Sequence, residues 1–154
     1  MKLLLDTNIC IYLIKKRPPL VLRRFDAHAA GTIGISSITV AELEFGVQKS
    51  LYPSRNQEAL EQFLLPLVIL DFDHEAARTY GKIHALLENR GRVIGALDML
   101  IAAHALSLNL PLATNNVREF SRVPGLKVIN WAATDDPLNR GRGDFRSLES
   151  RSEK

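Results

Sequence analysis

Three acidic residues far apart in this chain each stand where an apolar strand ends or a helix begins. Asp6 closes Met1-Lys-Leu-Leu-Leu-Asp6, Glu42 follows Ile35-Ser-Ser-Ile-Thr-Val-Ala41, and Asp98 follows Gly95-Ala-Leu97. Carboxylates gathered from separate elements at one edge of a sheet are what a hard divalent cation needs, since Mg²⁺ and Mn²⁺ prefer oxygen ligands and keep several waters. Like charges crowded together are costly unless a cation neutralises them or some are protonated. The spacing therefore points to metal-dependent phosphodiester chemistry. Each acid also has a plainer reading. Asp6 can cap a helix beginning near Asn8, Thr39 and Glu42 match the Thr-x-x-Glu capping box, and Asp98 can cap the apolar helix from Met99 onward. Glu44, two residues beyond Glu42, is expected to face elsewhere. Their convergence, not any one acid, favours a site.

The elements that must position these acids alternate along the chain. Lys2 to Leu5 reads as a strand buried on both faces, since it lacks polar alternation. Helices are expected over Asn8 to Lys16, stopped by Pro18-Pro19, and over Leu20 to Ala30, ended by Gly31. A strand over Thr32 to Ser36 is followed by a helix over Ile38 to Ser50, with Val40, Leu43, Phe45 and Val47 partly buried. Pro53 opens a helix to Leu65, Leu67 to Leu70 is a third strand, and Asp73 caps a long helix ending near Gly91. Residues 97 to 108 form an apolar helix whose Ala102, Ala103 and Ala105 allow close approach to a sheet. Leu110 to Thr114 is a fourth strand, Val117 to Ser121 a helical turn, and Leu126 to Ile129 a fifth strand. This alternation predicts an α/β fold, a three-layer α/β/α sandwich around a mostly parallel sheet, with ligands beyond the strands' carboxyl ends. Residues 1–132 are expected to be one domain and 133–154, which lose the apolar period, a flexible tail.

Size and composition bound the function. A chain of 154 residues, 46% hydrophobic and 24% charged, can bury one core. No apolar run reaches the roughly 20 residues that cross a bilayer, and no secretory leader precedes the first strand, so a cytoplasmic location is expected. Cys10, between Ile9 and Ile11, reads as a buried structural thiol. The net charge of +3 and pI near 9.2 permit a phosphate-bearing partner. Small basic clusters, among them Arg92, Arg118 and Arg122, are candidate contacts for an RNA backbone. The four histidines show no zinc spacing, and His104, six residues after Asp98, reads as a packed or hydrogen-bonded side chain. Tyr12, Phe25, Phe45, Phe63, Tyr80 and Phe120 occupy core-like positions, leaving no aromatic platform for single-stranded RNA.

Four blocks in order carry a further resemblance: Leu5-Asp-Thr-Asn-Ile9, Ser36-Ser-Ile-Thr-Val-Ala-Glu-Leu43, Gly95-Ala-Leu-Asp-Met-Leu-Ile-Ala102 and Thr114-Asn-Asn-Val-Arg-Glu-Phe120. Together they make the chain resemble the PIN-domain ribonucleases, and among them the VapC toxins of bacterial toxin-antitoxin pairs. The resemblance implies that Asp6, Glu42 and Asp98 are metal-site acids binding Mg²⁺ or Mn²⁺, with Thr7, Asn8 and Thr114 orienting them. The family's fourth acid falls where this chain has Asn116, which offers an oxygen without charge; Glu119 is the carboxylate beside it. The resemblance also implies an endoribonuclease that cuts structured RNA, a tRNA anticodon loop, initiator tRNA among them, or an rRNA loop. A VapB-type antitoxin would lie in a groove near Ile11, Tyr12, Ile14, Leu20, Leu22 and the Tyr52 to Leu60 helix. Homodimerisation is implied too, with promoter DNA bound only through the antitoxin.

Rival readings fare worse. A haloacid-dehalogenase-type phosphotransferase wants Asp-x-Asp at the strand end, where this chain has Asp6-Thr7-Asn8. A receiver module wants paired acids at the first strand end, and Asp6 stands alone there. A PIN-like RNA- or protein-binding module that has lost catalysis is the rival that Asn116 keeps open.

Overall fold

The computed structural model describes residues 1–133 of the 154. Its elements run β1 (Leu3–Leu5), α1 (Thr7–Ile14), α2 (Pro19–Asp26), β2 (Ile33–Ser36), α3 (Ser37–Gln48), α4 (Pro53–Leu64), β3 (Val68–Leu70), α5 (His74–Asn89), α6 (Ala96–Ser107), β4 (Leu112–Thr114), α7 (Val117–Phe120) and β5 (Val128–Asn130). The strands form one sheet in the order β3-β2-β1-β4-β5, every pair parallel. Parallel strands need crossover connections, and here helices supply them.

Because successive side chains of a strand point to opposite faces, β1 feeds two cores at once. Leu3 and Leu5 join Ile33 and Ile35 beneath Ile9, Cys10 and Leu13 of α1, Val21 of α2, Leu43 and Val47 of α3 and Leu60 of α4. Leu4 faces the other way, onto Ile83 and Leu87 of α5, Met99, Ala102 and Ala103 of α6, and Phe120. That is the three-layer sandwich the alternation predicts. Helix α6 is largely apolar, which marks a helix packed on most sides, and its Ala102, Ala103 and Ala105 are fully buried in the core shared with α5 and the sheet. Gly34 of β2 makes room for the neighbouring strand's side chain: a Cβ there would stand 2.8 Å from Leu70 Cδ1 of β3.

Helix ends explain how the two middle acids are delivered. Helix α5 closes through Gly91 at φ +63°, with the Gly91 amide on the Glu88 carbonyl and the Arg92 amide on Leu87, a Schellman stop for which glycine suits the left-handed position. Four residues later Gly95 caps α6, so Asp98 falls in its first turn. Helix α3 starts one residue before its predicted beginning. Its cap is Ser36, whose Oγ accepts the Ile38 amide. The Thr39 to Glu42 capping box is therefore not formed, since Thr39 is already inside the helix, and its spacing places both residues on one helical face.

Other boundaries differ from the predicted ones for local reasons. Helix α2 ends at Asp26, well before Gly31, which serves a turn into β2 at φ +79°. Phe45 does not join the core with Leu43 and Val47. It is 66% exposed, with the Lys49 ammonium 5.3 Å from its ring. Leu60 is buried core, so only the outer face of α4 remains open to a partner. Cys10 is fully buried as expected. The tail expected from residue 133 onward lies outside the described residues after Ala133.

Candidate active site

The order of the sheet reverses between β1 and β4, the crevice where open α/β sheets bind ligands at their carboxyl ends. Asp6, immediately after β1, fills that place and is 2% exposed. It is the cap of α1, with Oδ1 accepting the Thr7 amide at 2.7 Å, and its Oδ2 accepts the Thr114 hydroxyl at 2.7 Å from the end of β4. Burial pushes the Asp6 carboxyl above its usual range; the Thr114 and Thr7 hydrogen bonds pull it down, and the Glu42 charge pushes it up again. The capping reading and the site reading of Asp6 thus describe the same side chain.

Thr7 links Asp6 to the next acid. Its amide bonds Asp6, while its hydroxyl donates to Glu42 Oε1 at 2.8 Å and lies 3.2 Å from the Thr39 hydroxyl. Thr39 is fully buried beneath Glu42 on α3, and the three-residue spacing that resembles a capping box is the signal that could have revealed it as a support for Glu42. Glu44 points away to α4, where its Oε1 accepts the Gln57 amide.

Asp98 enters from the opposite layer, in the first turn of α6. Its carboxyl is pushed up to about 6, by burial first and then by the charges of Asp6, Glu119 and Glu42. The Asp98 carboxyl thus feels the charges of Asp6 at the start of α1, Glu42 on α3 and Glu119 on α7. Asn116 and Glu119 are joined directly: Asn116 Nδ2 donates to Glu119 Oε2 at 3.2 Å, and the Asn116 amide donates to Thr114 Oγ1 at 2.9 Å. The Thr114 hydroxyl is thus shared between the Asp6 carboxylate and the turn that presents Glu119.

Not every predicted residue joins this network. Asn8 is exposed on the first turn of α1 and makes none of the hydrogen bonds linking these side chains among the described residues. Arg92 and Arg118 are exposed. Arg122 spends one guanidinium N–H on the Val93 carbonyl at 3.2 Å, tying α7 to the turn before α6.

Among the described residues, no group of three or more His, Cys, Asp and Glu side chains is placed to hold a metal ion. Asp6, Glu119 and Glu42 nevertheless lie near enough to Asp98 for their charges to raise its carboxyl. An all-oxygen donor set, sparse and repelling, fits a hydrated hard cation that takes few protein ligands and completes its shell with water and phosphate. It lacks the nitrogen and sulfur donors that structural zinc sites use.

Comparison with known proteins agrees with this geometry. The PIN domain family matches residues 3–126. Ribonuclease VapC2 of Haemophilus influenzae is 50% identical over 131 residues, 85% of this chain and 98% of that protein. The tRNA(fMet)-specific endonuclease VapC of Shigella flexneri is 45% identical over 132 residues, 86% of this chain and 99% of that protein. The crystal structure of VapBC2 from Rickettsia felis bound to a DNA fragment from their promoter superposes with a TM-score of 0.80 at 43% identity, covering 85% of this chain and 99% of that one. With the family match and the relatives in accord, the chain belongs to the PIN domain family, among its VapC ribonucleases.

Proposed function

We propose that this protein is a Mg²⁺- or Mn²⁺-dependent endoribonuclease, the toxin of a toxin-antitoxin pair, that cuts structured RNA and so arrests translation. The observation that supports this reading is the hydrogen-bond network that joins Asp6 through Thr7 to Glu42 and through Thr114 to the turn of Asn116 and Glu119, with the Asp98 carboxyl raised by the charges of Asp6, Glu119 and Glu42. Asp6, Glu42 and Asp98 would hold the cation. A cation of this kind supplies Lewis acidity toward the scissile phosphate and makes water a better nucleophile.

The chain's own side chains do the rest. Thr7 and Thr114 fix the carboxylate rotamers through their hydroxyls, as outer partners of ligating carboxylates do. Asn116 brings no charge but holds Glu119, which provides the fourth carboxylate. Arg92 and Arg118, with Arg122 beside them, meet the RNA backbone at the rim. Hydrolysis in line leaves a 5′-phosphate and a 3′-hydroxyl.

The substrate, by analogy with the Shigella relative, is initiator tRNA. The partner is a VapB-type antitoxin lying along the half-buried Ile11, Tyr12 and Ile14, in an assembly that contains a toxin homodimer and reaches promoter DNA through the antitoxin. No helix among the described residues is long and apolar enough to cross a membrane, which accords with action on RNA in the cytoplasm. The test is incubation of the purified chain, and of Asp98→Asn in parallel, with total tRNA in Mg²⁺ or in EDTA. Discrete fragments from wild type in Mg²⁺ alone are expected. Intact tRNA and ribosomal RNA after incubation with folded, antitoxin-free wild type would replace the reading with that of a PIN-like binding module.

A further inference from the structure

The buried polar residues of the described body are Asp6, Thr7, Ser36, Thr39, His104 and Thr114. Four of them belong to the acid network. The other two, Ser36 and His104, are bonded to each other: His104 Nδ1 lies 2.8 Å from Ser36 Oγ, across 68 positions of sequence. Ser36 is the cap of α3, the helix of Glu42, and His104 is on α6, the helix of Asp98. One hydrogen bond therefore ties together the two helices that present acids from opposite faces of the sheet.

A neutral imidazole donates from one ring nitrogen and accepts at the other, and a serine hydroxyl can do either, so the His104–Ser36 bond holds in either tautomer. Ser36 Oγ in turn accepts the Ile38 amide at 3.1 Å. Burial pushes the imidazole below its ordinary range, against the upward pull of Asp73 and of the Asp71 backbone and charge, so the neutral ring is the resting form. The neighbouring contacts continue the clamp. Phe72 packs edge-on to the imidazole with centroids 5.4 Å apart, and its amide donates to Ser37 Oγ at 3.0 Å. The start of α3 is thus fixed to α6 and to the β3–α5 turn at once.

We infer that His104 is a positioning residue that registers α3 against α6 through Ser36 and so sets where Glu42 stands relative to Asp98. Six residues of helix carry Ser36 to Glu42, about 9 Å along the axis. A tilt of about 10° at the cap would displace the carboxylate by roughly 1.5 Å, and errors of about 1 Å in such sites cost on the order of 100-fold in rate.

The inference rests on the proposed metal-dependent cleavage, and the experiment separates the two. Full-length wild type, Ser36→Ala, His104→Leu, His104→Gln and the Ser36→Ala/His104→Leu double variant are compared. Mn²⁺ binding is measured by calorimetry without RNA, and kcat and KM are measured on tRNA. Ser36→Ala and His104→Leu are expected each to weaken Mn²⁺ binding by about 10-fold and to lower kcat with KM for RNA unchanged. His104→Gln, whose amide both donates and accepts, is expected to restore most of both. The double variant should be no worse than its worse parent, as for two halves of one contact. If His104→Leu does not fold, His104→Met takes its place, since Ser36→Ala by itself also removes the cap on the Ile38 amide. Wild-type Mn²⁺ affinity in folded Ser36→Ala or His104→Leu, or additive losses in the double variant, overturns the positioning role while leaving the nuclease standing. A wild type that neither binds Mn²⁺ nor cuts RNA overturns the nuclease reading, and the positioning role with it.

Discussion

The Thr114 hydroxyl donates to Asp6 Oδ2 at 2.7 Å across the one place where the sheet changes direction, and accepts the Asn116 amide at 2.9 Å. It thereby holds the first acid and orients the turn that offers Glu119. Thr114→Val keeps the shape and removes both services. Because this hydrogen bond pulls the Asp6 carboxyl down, its loss leaves burial and the Glu42 charge to push the carboxyl further up. The acid limb of the cleavage profile should move to higher pH, and Mn²⁺ affinity should fall about 10- to 100-fold. A profile over pH 5 to 8 with calorimetric Mn²⁺ titration checks both.

Removing an acid should separate chemistry from folding. Asp6→Asn and Asp98→Asn are each expected to lower cleavage by at least about 100-fold, more than loss of a supporting contact would, with melting and circular dichroism still those of a folded protein. Glu44→Gln should leave cleavage within about twofold, because its partner is Gln57 on α4. Loss of activity in Glu44→Gln with Glu42→Gln active would reassign the acid on α3.

The Asp98 carboxyl also sets a pH dependence of stability. Its folded value of about 6 lies above the ordinary 3.8, so its protonated form is favoured by folding. The associated stability is fully present below about pH 4 and is lost as pH rises through 6. Asp98→Asn should therefore be more stable than wild type at pH 7, by about 1 kcal/mol after allowance for partial solvent screening. The difference should vanish below pH 4. Melting temperatures measured across that window, without added metal, give the answer.

Asn116 offers the inverse experiment. Asn116→Asp would place a carboxylate against Glu119 in place of a 3.2 Å amide hydrogen bond. Like charges at that distance destabilise the metal-free protein. A lower melting temperature in EDTA is expected, with a larger rise on adding Mn²⁺ than wild type shows, since ligand binding stabilises by mass action.

How far these features were legible depended on how far apart their parts lie in the sequence. Asp6 was readable because strand, acid and helix follow one another within a few residues. Gly95 and Asp98 were readable for the same reason. The Thr39 reading misleads because the Thr-x-x-Glu spacing has two physical meanings, a capping box at a helix start and a shared face inside a helix. Only the Ser36 hydroxyl, which accepts the Ile38 amide and so takes the capping role, decides between them. Phe45 reads as partly buried beside Val40, Leu43 and Val47, yet α3 turns that position outward between Leu43 and Val47. The pairing of Ser36 with His104 left no local trace at all. It joins residues 68 positions apart, and nothing in either neighbourhood names the other.

The bond between Asp6 and Thr114 spans 108 positions, and that separation has a temporal meaning. Residues early in a chain emerge first during synthesis, while contacts distant in sequence must wait for their partners. Until β4 docks beside β1, Asp6 lacks one of the two hydrogen bonds that hold its carboxylate, and Asn116 and Glu119 have no place to stand. A chain that stops short of β4 leaves Asp6 without its Thr114 partner. The network around Asp6 therefore closes only after the crossover that brings β4 beside β1, late in the order in which the described elements are made.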